Sequence, residues 1–542
     1  MDNSSNQPYH NSTMEISDPS RPSPNGEETW TKGEHQARKF NDVAFGILFY
    51  LHLIGMVVCS VVYAPQMFRE VANIAADGGG EGGRDLLDSS SSMSGNNHGL
   101  VTSRLMSWVV GASKQIFGSS LMAPLSNRLL QEDENDDYYE NGRDDFDDLL
   151  LLMSISAIVA CIISSLALTV MIRHARQMIV CALIFNIVAA LVFTICALFV
   201  SPFGAIMGIF MVFFNAYFAY VVWGRISFAA CNLATATSAV KANLGLSFVA
   251  YSSLISMFGW SAFWLVSAVP TLYVTSGCDA QAGACEKEAN GLIVFTLLIS
   301  YYWTFQVIQN TVQVTVAGVV GTWWYVPTEA SSFCSRSIGD SYTRSLTYSF
   351  GSICLGSLIV AVIESLITMT RNLRESGDGG SVFLCIAECI LSLLRDIIEY
   401  FNRWAFTYVG VYGYSFIEAG KNVTNLFKSR GWTTIITDTL AQSVLTLVSV
   451  AVGLITGITC LLFSYTHNMV FGDELGASAA AFFIGFTTGL VMTSTLLSLV
   501  SASVNTVIVC YADAPAEFKV NHPKLSDDMQ AGWATAWPDQ FQ

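Results

Sequence analysis

The chain has 542 residues, of which 52% are hydrophobic and 13% charged, and its formal net charge is −16. Soluble domains carry about 25% charged residues, so this composition excludes an ordinary soluble domain. Apolar runs of about 20 residues recur, which is the length that crosses roughly 30 Å of hydrocarbon. The sequence therefore predicts an all-α polytopic membrane protein.

The N-terminal part alternates between polar and apolar segments. Residues 1–39 are rich in Ser, Asn and Pro and predict a disordered cytoplasmic tail without a cleavable signal peptide. The first transmembrane helix is predicted at 40–63, followed by an extracellular, Gly/Ser-rich loop at 64–148. That loop ends in an acidic stretch, 131–148, with ten acidic side chains and one Arg. Such a block is typically solvated; the alternative is that it attracts cations toward a pore mouth.

Residues 149–510 predict a transmembrane transport domain. Its clear apolar spans are 149–172, 178–200, 203–223, 245–275, 291–320, 345–369, 436–463 and 478–510.

One segment of this domain, 382–417, is ambiguous. Glu388, Arg395 and Glu399 favour an interfacial helix, because each charge at mid-bilayer costs about 3 kcal/mol on insertion scales. Its apolar end, 404–417, favours at least a partial crossing, so 370–430 is predicted to be partly interfacial. The chain then has about ten transmembrane helices, or nine with a re-entrant helix.

Basic residues in short loops predict the orientation, because such loops stay cytoplasmic. Placing them all inside makes the N-terminus cytoplasmic, and a single crossing by 382–417 makes the C-terminus cytoplasmic as well, with 511–542 as a cytoplasmic C-terminal tail. The residues are Arg173, Arg176, Arg225, Lys241, Arg336 and Arg344. The loop TSGCDAQAGACEKEAN then lies outside, where Cys278 and Cys285 are expected to form a disulfide.

The stretch SYYWTFQVIQNTVQVTVAGVVGTWWYVP carries many amide and aromatic side chains for a membrane segment. Positions three, four and seven apart share a helix face, so Gln306, Asn310 and Gln313 form one stripe. Tyr302 and Trp303 lie about one turn before it. Amides in lipid cost several kcal/mol unless they are paired, so the stripe faces protein, water or a substrate. Hydrogen bonds between helices and the lining of a substrate pathway remain two open interpretations.

Aromatic and acidic side chains suit a cationic substrate. A quaternary ammonium has no N–H to donate, and attraction to aromatic faces holds it with about 2 kcal/mol when desolvated. Trp303 is the candidate for that contact, whereas Trp323 and Trp324, at the end of the span, favour an interfacial aromatic belt. Glu364, inside a clear span, is the candidate for neutralising the cation or carrying an exchanged proton. The alternative is a carboxylate that reaches the headgroups.

Other classes of function find no support in the sequence. No GxxxxGK[ST], HExxH or GxSxG motif occurs, so we expect no enzyme and no ATP-driven transport. No His/Cys cluster has metal-ligand spacing, so no metal and no cofactor are expected. The sequence has no basic patch, so nucleic-acid binding is not expected. The expected partners are a small organic cation and the lipid bilayer, and the expected assembly is a monomer.

Several quoted segments together resemble one family. They are KFNDVAFGILFYLHLIGMV, the amide-rich stretch, SLTYSFGSICLGSLIVAVIESL, YFNRWAFTYVGVYGYSFIEAGKNV and VIVCYADAPAEFKVNHP. In order and spacing they are similar to the choline transporter-like family, and to its fungal, plant and protist-type members. The resemblance implies a ten-span plasma-membrane protein with cytoplasmic termini. It also implies movement of choline, and in some members ethanolamine, either facilitated or coupled to proton exchange.

The expected function is therefore membrane transport of choline or a related small organic cation. The site is expected to be lined by the amide stripe with Tyr302 and Trp303, and to be compensated by Glu364. Two alternatives are a transporter of a different small solute and a non-transporting membrane scaffold or receptor.

Overall fold

The computed structural model describes most of the chain between residues 39 and 536. The described ranges are 39–77, 141–199, 202–279, 284–285, 287, 289–375, 381–430, 435–467 and 474–536. The predicted tail, as far as residue 38, and residues 78–140 of the predicted external loop lie outside them.

The described chain is built from helices. They are α1 (Val43–Asp77), α2 (Asn141–Leu198), α3 (Pro202–Val222), α4 (Ile226–Ala242), α5 (Leu246–Thr275), α6 (Gly291–Tyr325), α7 (Arg336–Leu346), α8 (Phe350–Glu375), α9 (Ser381–Tyr412), α10 (Phe416–Arg430), α11 (Ile435–His467), α12 (Glu474–Asp513), α13 (Pro515–Asn521) and α14 (Pro523–Ala536). A 3₁₀ turn, Trp223–Arg225, joins α3 to α4.

Eight helical ranges of the described chain are long and apolar enough to cross a membrane. One of them, Leu151–Leu198, has 48 residues, about twice the length that a crossing needs. Non-helical dihedrals at His174 divide it into the two spans predicted from the sequence. Large apolar side chains such as Phe213 and Tyr220 are mostly exposed on these helices, as lipid contact requires. The predicted all-α polytopic membrane fold is confirmed.

Helix α9 covers most of the ambiguous segment and is not among those eight ranges. Its 32 residues extend about 48 Å, which exceeds the thickness of the hydrocarbon core. Ion pairs join it to α8: Arg371 lies 3.0 Å from Glu388, and Arg395 lies 3.2 Å from Glu364. From the first pair to the second, the position falls by seven residues on α8 and rises by seven on α9. The two helices are therefore antiparallel.

Opposite faces of α9 explain how a charged helix sits in this fold. Its large exposed apolar residues recur every three or four positions and form the face suited to lipid: Val382, Phe383, Ile386, Ile390, Leu393 and Ile397. Two charges on the other face, Glu388 and Arg395, have partners on α8, which lowers their cost in a membrane. Its last two turns are buried in the core.

Glycines allow α11 and α12 to pack closely. A Cβ on Gly457 would stand 2.8 Å from the Phe482 ring, and one on Gly485 would stand 2.6 Å from the Cys460 sulfur. Neither position has room for a side chain, so the helices approach at van der Waals distance. Small residues at such spacing are typical of membrane helix pairs.

A two-stranded hairpin connects α5 to α6. β1 (Cys278–Asp279) pairs antiparallel with β2 (Ala284–Cys285), and the register sets Cys278 opposite Cys285. Cys278 is disulfide-bonded. This backbone arrangement suits the disulfide expected between Cys278 and Cys285, whose assignment stays a prediction.

Candidate functional site

A cavity of about 760 Å³ lies among α5, α6, α8, α9, α11 and α12. Its wall carries amides, hydroxyls, one carboxylate and one guanidinium among aliphatic side chains. The polar groups include Gln306, Gln309, Asn310, Gln313, Glu399, Asn402, Arg403, Gln442, Ser449, Ser498 and Asn505. A polar cavity inside an apolar helix bundle is the arrangement that a hydrated or hydrogen-bonding solute needs.

The amide stripe predicted on α6 faces this cavity. Gln306, Asn310 and Gln313 all lie in its wall. Asn310 Nδ2 donates to Ser357 Oγ at 2.9 Å, and Gln313 Nε2 donates to the Arg403 carbonyl at 2.8 Å. These two amides therefore join α6 to its neighbours as well as lining the cavity, so both interpretations of the stripe describe part of the structure. Gln306 makes no hydrogen bond within the described residues, which leaves its amide available to a solute.

The two aromatic candidates, Tyr302 and Trp303, lie away from the cavity wall. Tyr302 Oη is 2.8 Å from Thr368 Oγ1 on α8. Trp303 is buried, and its Nε1 donates to the Cys354 carbonyl at 2.9 Å while its ring meets Phe49 edge-on at 5.2 Å. In this conformation both side chains join helices; their predicted contact with a substrate stays a prediction.

Glu364 also lies outside the wall, in the ion pair with Arg395. Arg395 Nη2 contacts Asp396 at 2.8 Å as well, so the guanidinium bridges α8 to its own helix. Glu399 and Arg403, one and two turns further along α9, line the cavity itself. Sequence reasoning used the α9 charges only to place the helix at the interface. Their spacing of four residues was the signal that could have placed them on one face.

A second cavity, of about 550 Å³, lies between α1, α5, α6, α7 and α8. Whereas the central cavity has one aromatic ring, that of Phe305, this second cavity is lined by five: Phe49, Trp260, Phe263, Tyr342 and Phe350. Ser253 and Val312 belong to the walls of both cavities. Aromatic faces therefore adjoin the amide-lined space, but from α1, α5, α7 and α8 and not from the stripe.

The aromatic end of α6 is covered by the last two helices. The Trp324 ring stacks on Phe518 of α13 at 3.8 Å and 10°, and the Trp323 ring lies 4.0 Å from the His522 imidazole. Asn521 Nδ2 donates to the carbonyls of Trp324 and Tyr325, at 2.9 and 2.8 Å.

Both indoles are buried by this contact, so the prediction of an interfacial belt is wrong for Trp323 and Trp324. The residues that cover these indoles lie about 190 positions further along the chain. The local sequence therefore showed only two tryptophans at the end of a span, which is the pattern of an interfacial belt. Burial lowers the pKa of His522 below its ordinary value, and the hydrogen bond to the Trp323 carbonyl partly opposes that shift.

Comparison with known families places this geometry in context. Residues 205–516, more than half of the chain, match the family described as plasma-membrane choline transporter. The chain belongs to that family. The matched region contains every residue that lines the central cavity. The family resemblance drawn from the sequence is confirmed.

Curated proteins similar to the chain include members from fungi and a slime mould. Protein PNS1 of Gibberella zeae is 29% identical over 336 residues, which cover 59% of this chain and 62% of the relative. A CTL-like protein of Dictyostelium discoideum is 32% identical over 321 residues, covering 58% and 54%. Protein PNS1 of Saccharomyces cerevisiae is 26% identical over 406 residues, covering 72% and 74%. The chain matches less than two thirds of the length of the first two relatives.

Proposed function

We propose that the protein transports choline or a related small organic cation across the plasma membrane, by facilitated movement or in exchange for a proton. The observation that carries this proposal is the amide-lined cavity inside the helix bundle. A volume of about 760 Å³ accommodates a solute of a few heavy atoms together with water. Family membership supports transport as the activity.

The chemistry of the wall suits a cation of low hydrogen-bonding demand. Amide and hydroxyl oxygens replace part of its hydration, and the Glu399 carboxylate supplies a negative charge that Arg403 partly offsets. Phe305 adds one aromatic face. The neighbouring aromatic cavity offers the faces that attract a quaternary ammonium. The proposed route therefore runs through both cavities, past Ser253 and Val312, which line both.

Proton exchange, where it occurs, requires a carboxylate on the route. Glu399 lies in the wall, and one turn before it on α9 Arg395 contacts the Glu364 carboxylate at 3.2 Å. A cation that approaches Glu399 would compete with the positive charges of Arg395 and Arg403, which act electrostatically on that carboxylate. This competition is the proposed link between the substrate and a proton.

The test is uptake of labelled choline into proteoliposomes that hold the purified protein, with and without a proton gradient. We expect saturable uptake that ethanolamine and tetramethylammonium reduce by competition. Gln306→Leu should lower uptake, because it removes a cavity amide that makes no hydrogen bond within the described residues and is therefore available to the solute. Phe258→Leu is the matched control, since Phe258 is 78% exposed on the outer face of α5. Uptake no faster than in empty liposomes would refute the proposal and favour another solute or a scaffold.

A further inference from the structure

Asn505 of α12 stands apart from the other amides of the central cavity. Its side chain is fully buried in the cavity wall, yet neither its amide oxygen nor its amide nitrogen makes a hydrogen bond within the described residues. By contrast, Asn310 donates to Ser357, and Asn402 donates to the Gly356 carbonyl at 2.8 Å. Asn505 is therefore the cavity asparagine whose hydrogen-bonding capacity remains unused in this conformation.

An unpaired buried amide is unfavourable for folding. Each buried polar group without a partner raises the free energy of the folded state, and replacing the amide with an apolar group of similar shape removes that cost. The nearest serine on the same helix face, Ser501, already donates to Gln442 Oε1 at 3.3 Å. Because Asn505 lies in the cavity wall, a solute that enters the cavity can supply the missing partner.

The chemistry of the amide identifies that partner. A carboxamide presents one acceptor oxygen and two N–H donors side by side. A hydroxyl group both donates and accepts, so one hydroxyl satisfies the oxygen and the nitrogen together. A trimethylammonium or an alkyl group can do neither.

We propose that Asn505 binds the hydroxyl group of the transported cation and so selects hydroxylated over non-hydroxylated organic cations. This inference rests on the proposed function and adds a residue and a specificity to it. Sites built to pair with a substrate hydroxyl reject the analogue that lacks it, because their own polar groups are then left unpaired. For one neutral amide the expected preference is roughly ten- to hundredfold.

The experiment compares substrates that differ by one hydroxyl. Uptake into proteoliposomes is measured for choline against ethyltrimethylammonium, and for ethanolamine against ethylamine, with the full chain and three variants. Asn505→Leu and Asn505→Ala remove the amide. Asn232→Leu is the matched control, since Asn232 is also fully buried and without a hydrogen bond within the described residues, but lies outside the cavity wall.

The full chain and the control should prefer the hydroxylated member of a pair by about ten- to hundredfold, whereas both Asn505 variants should transport the two members alike. Thermal unfolding of Asn505→Leu should occur at the same or a higher temperature than in the full chain, which separates this role from a structural one. Equal preference in the full chain and the Asn505 variants would overturn the inference while leaving the proposed transport intact. Absence of uptake of all four compounds by the full chain would refute both.

Discussion

The contact between α13 and the end of α6 predicts that the C-terminal segment is a docked part of the fold. Phe518→Ala removes a fully buried ring that stacks on Trp324. Truncating a buried Phe to Ala costs about 3–5 kcal/mol. Helices of 7 and 14 residues are marginal by themselves, so much of this loss should appear as undocking of α13 and α14. A loss of about 4 kcal/mol corresponds to a thousandfold larger undocked population.

Limited trypsin proteolysis measures that population. Lys519 and Lys524 are exposed, but they lie in helices that a protease must first unfold. When reclosing is fast, the cleavage rate follows the open population, so Phe518→Ala should be cut there two to three orders of magnitude faster. Val520→Ala is the matched control, because Val520 is 76% exposed on the same short helix. A cleavage rate unchanged by Phe518→Ala, or raised equally by Val520→Ala, would refute the docked arrangement.

Three further predictions concern stability. Burial lowers the pKa of His522 below its unfolded value of about 6.5, so docking of α13 and α14 should be firm above pH 6.5 and weaken as the pH falls through the folded pKa. Hydrogen exchange of α13 and α14 should show this pH dependence, and His522→Gln should remove most of it. Glu364→Gln should destabilise by roughly 1–2 kcal/mol, and its effect should be smaller when Arg395→Gln is already present, as a double-mutant cycle on thermal unfolding measures. Gly485→Ala should cost roughly 1–3 kcal/mol because its Cβ would clash with a thiol of α11, whereas Gly55→Ala, facing open space, should be neutral or slightly stabilising in the same assay.

Apolar spans were predictable because a crossing needs only local composition and length. Nine of the predicted spans overlap the eight apolar helical ranges, including the pair separated at His174. Boundaries were less accurate: α1 continues through Pro65 to Asp77, past the predicted end at 63. Orientation relative to the membrane stays a prediction.

Three of the six site residues predicted from the sequence lie in the cavity wall, and helical spacing alone grouped them. Gln306, Asn310 and Gln313 share a face in any α-helix, so the sequence could place them together before any tertiary contact was known. Asn505 could not be found in this way, because it is one isolated amide in an apolar helix more than 190 positions away. Aromatic faces near Trp303 were expected to meet the substrate, but in this conformation that indole packs against the Phe49 ring of α1 and donates to the Cys354 carbonyl of α8.

One physical rule connects the ambiguous helix with the candidate site. A polar group in an apolar segment must find a partner, and the sequence shows the need without showing the partner. On α9 the partner of Arg395 is Glu364 on the adjacent helix, so the charge serves the contact between α8 and α9. Around the central cavity, Gln306 and Asn505 have no such partner within the described residues. Within the cavity wall, polar groups left unpaired after folding therefore mark the proposed route of the substrate.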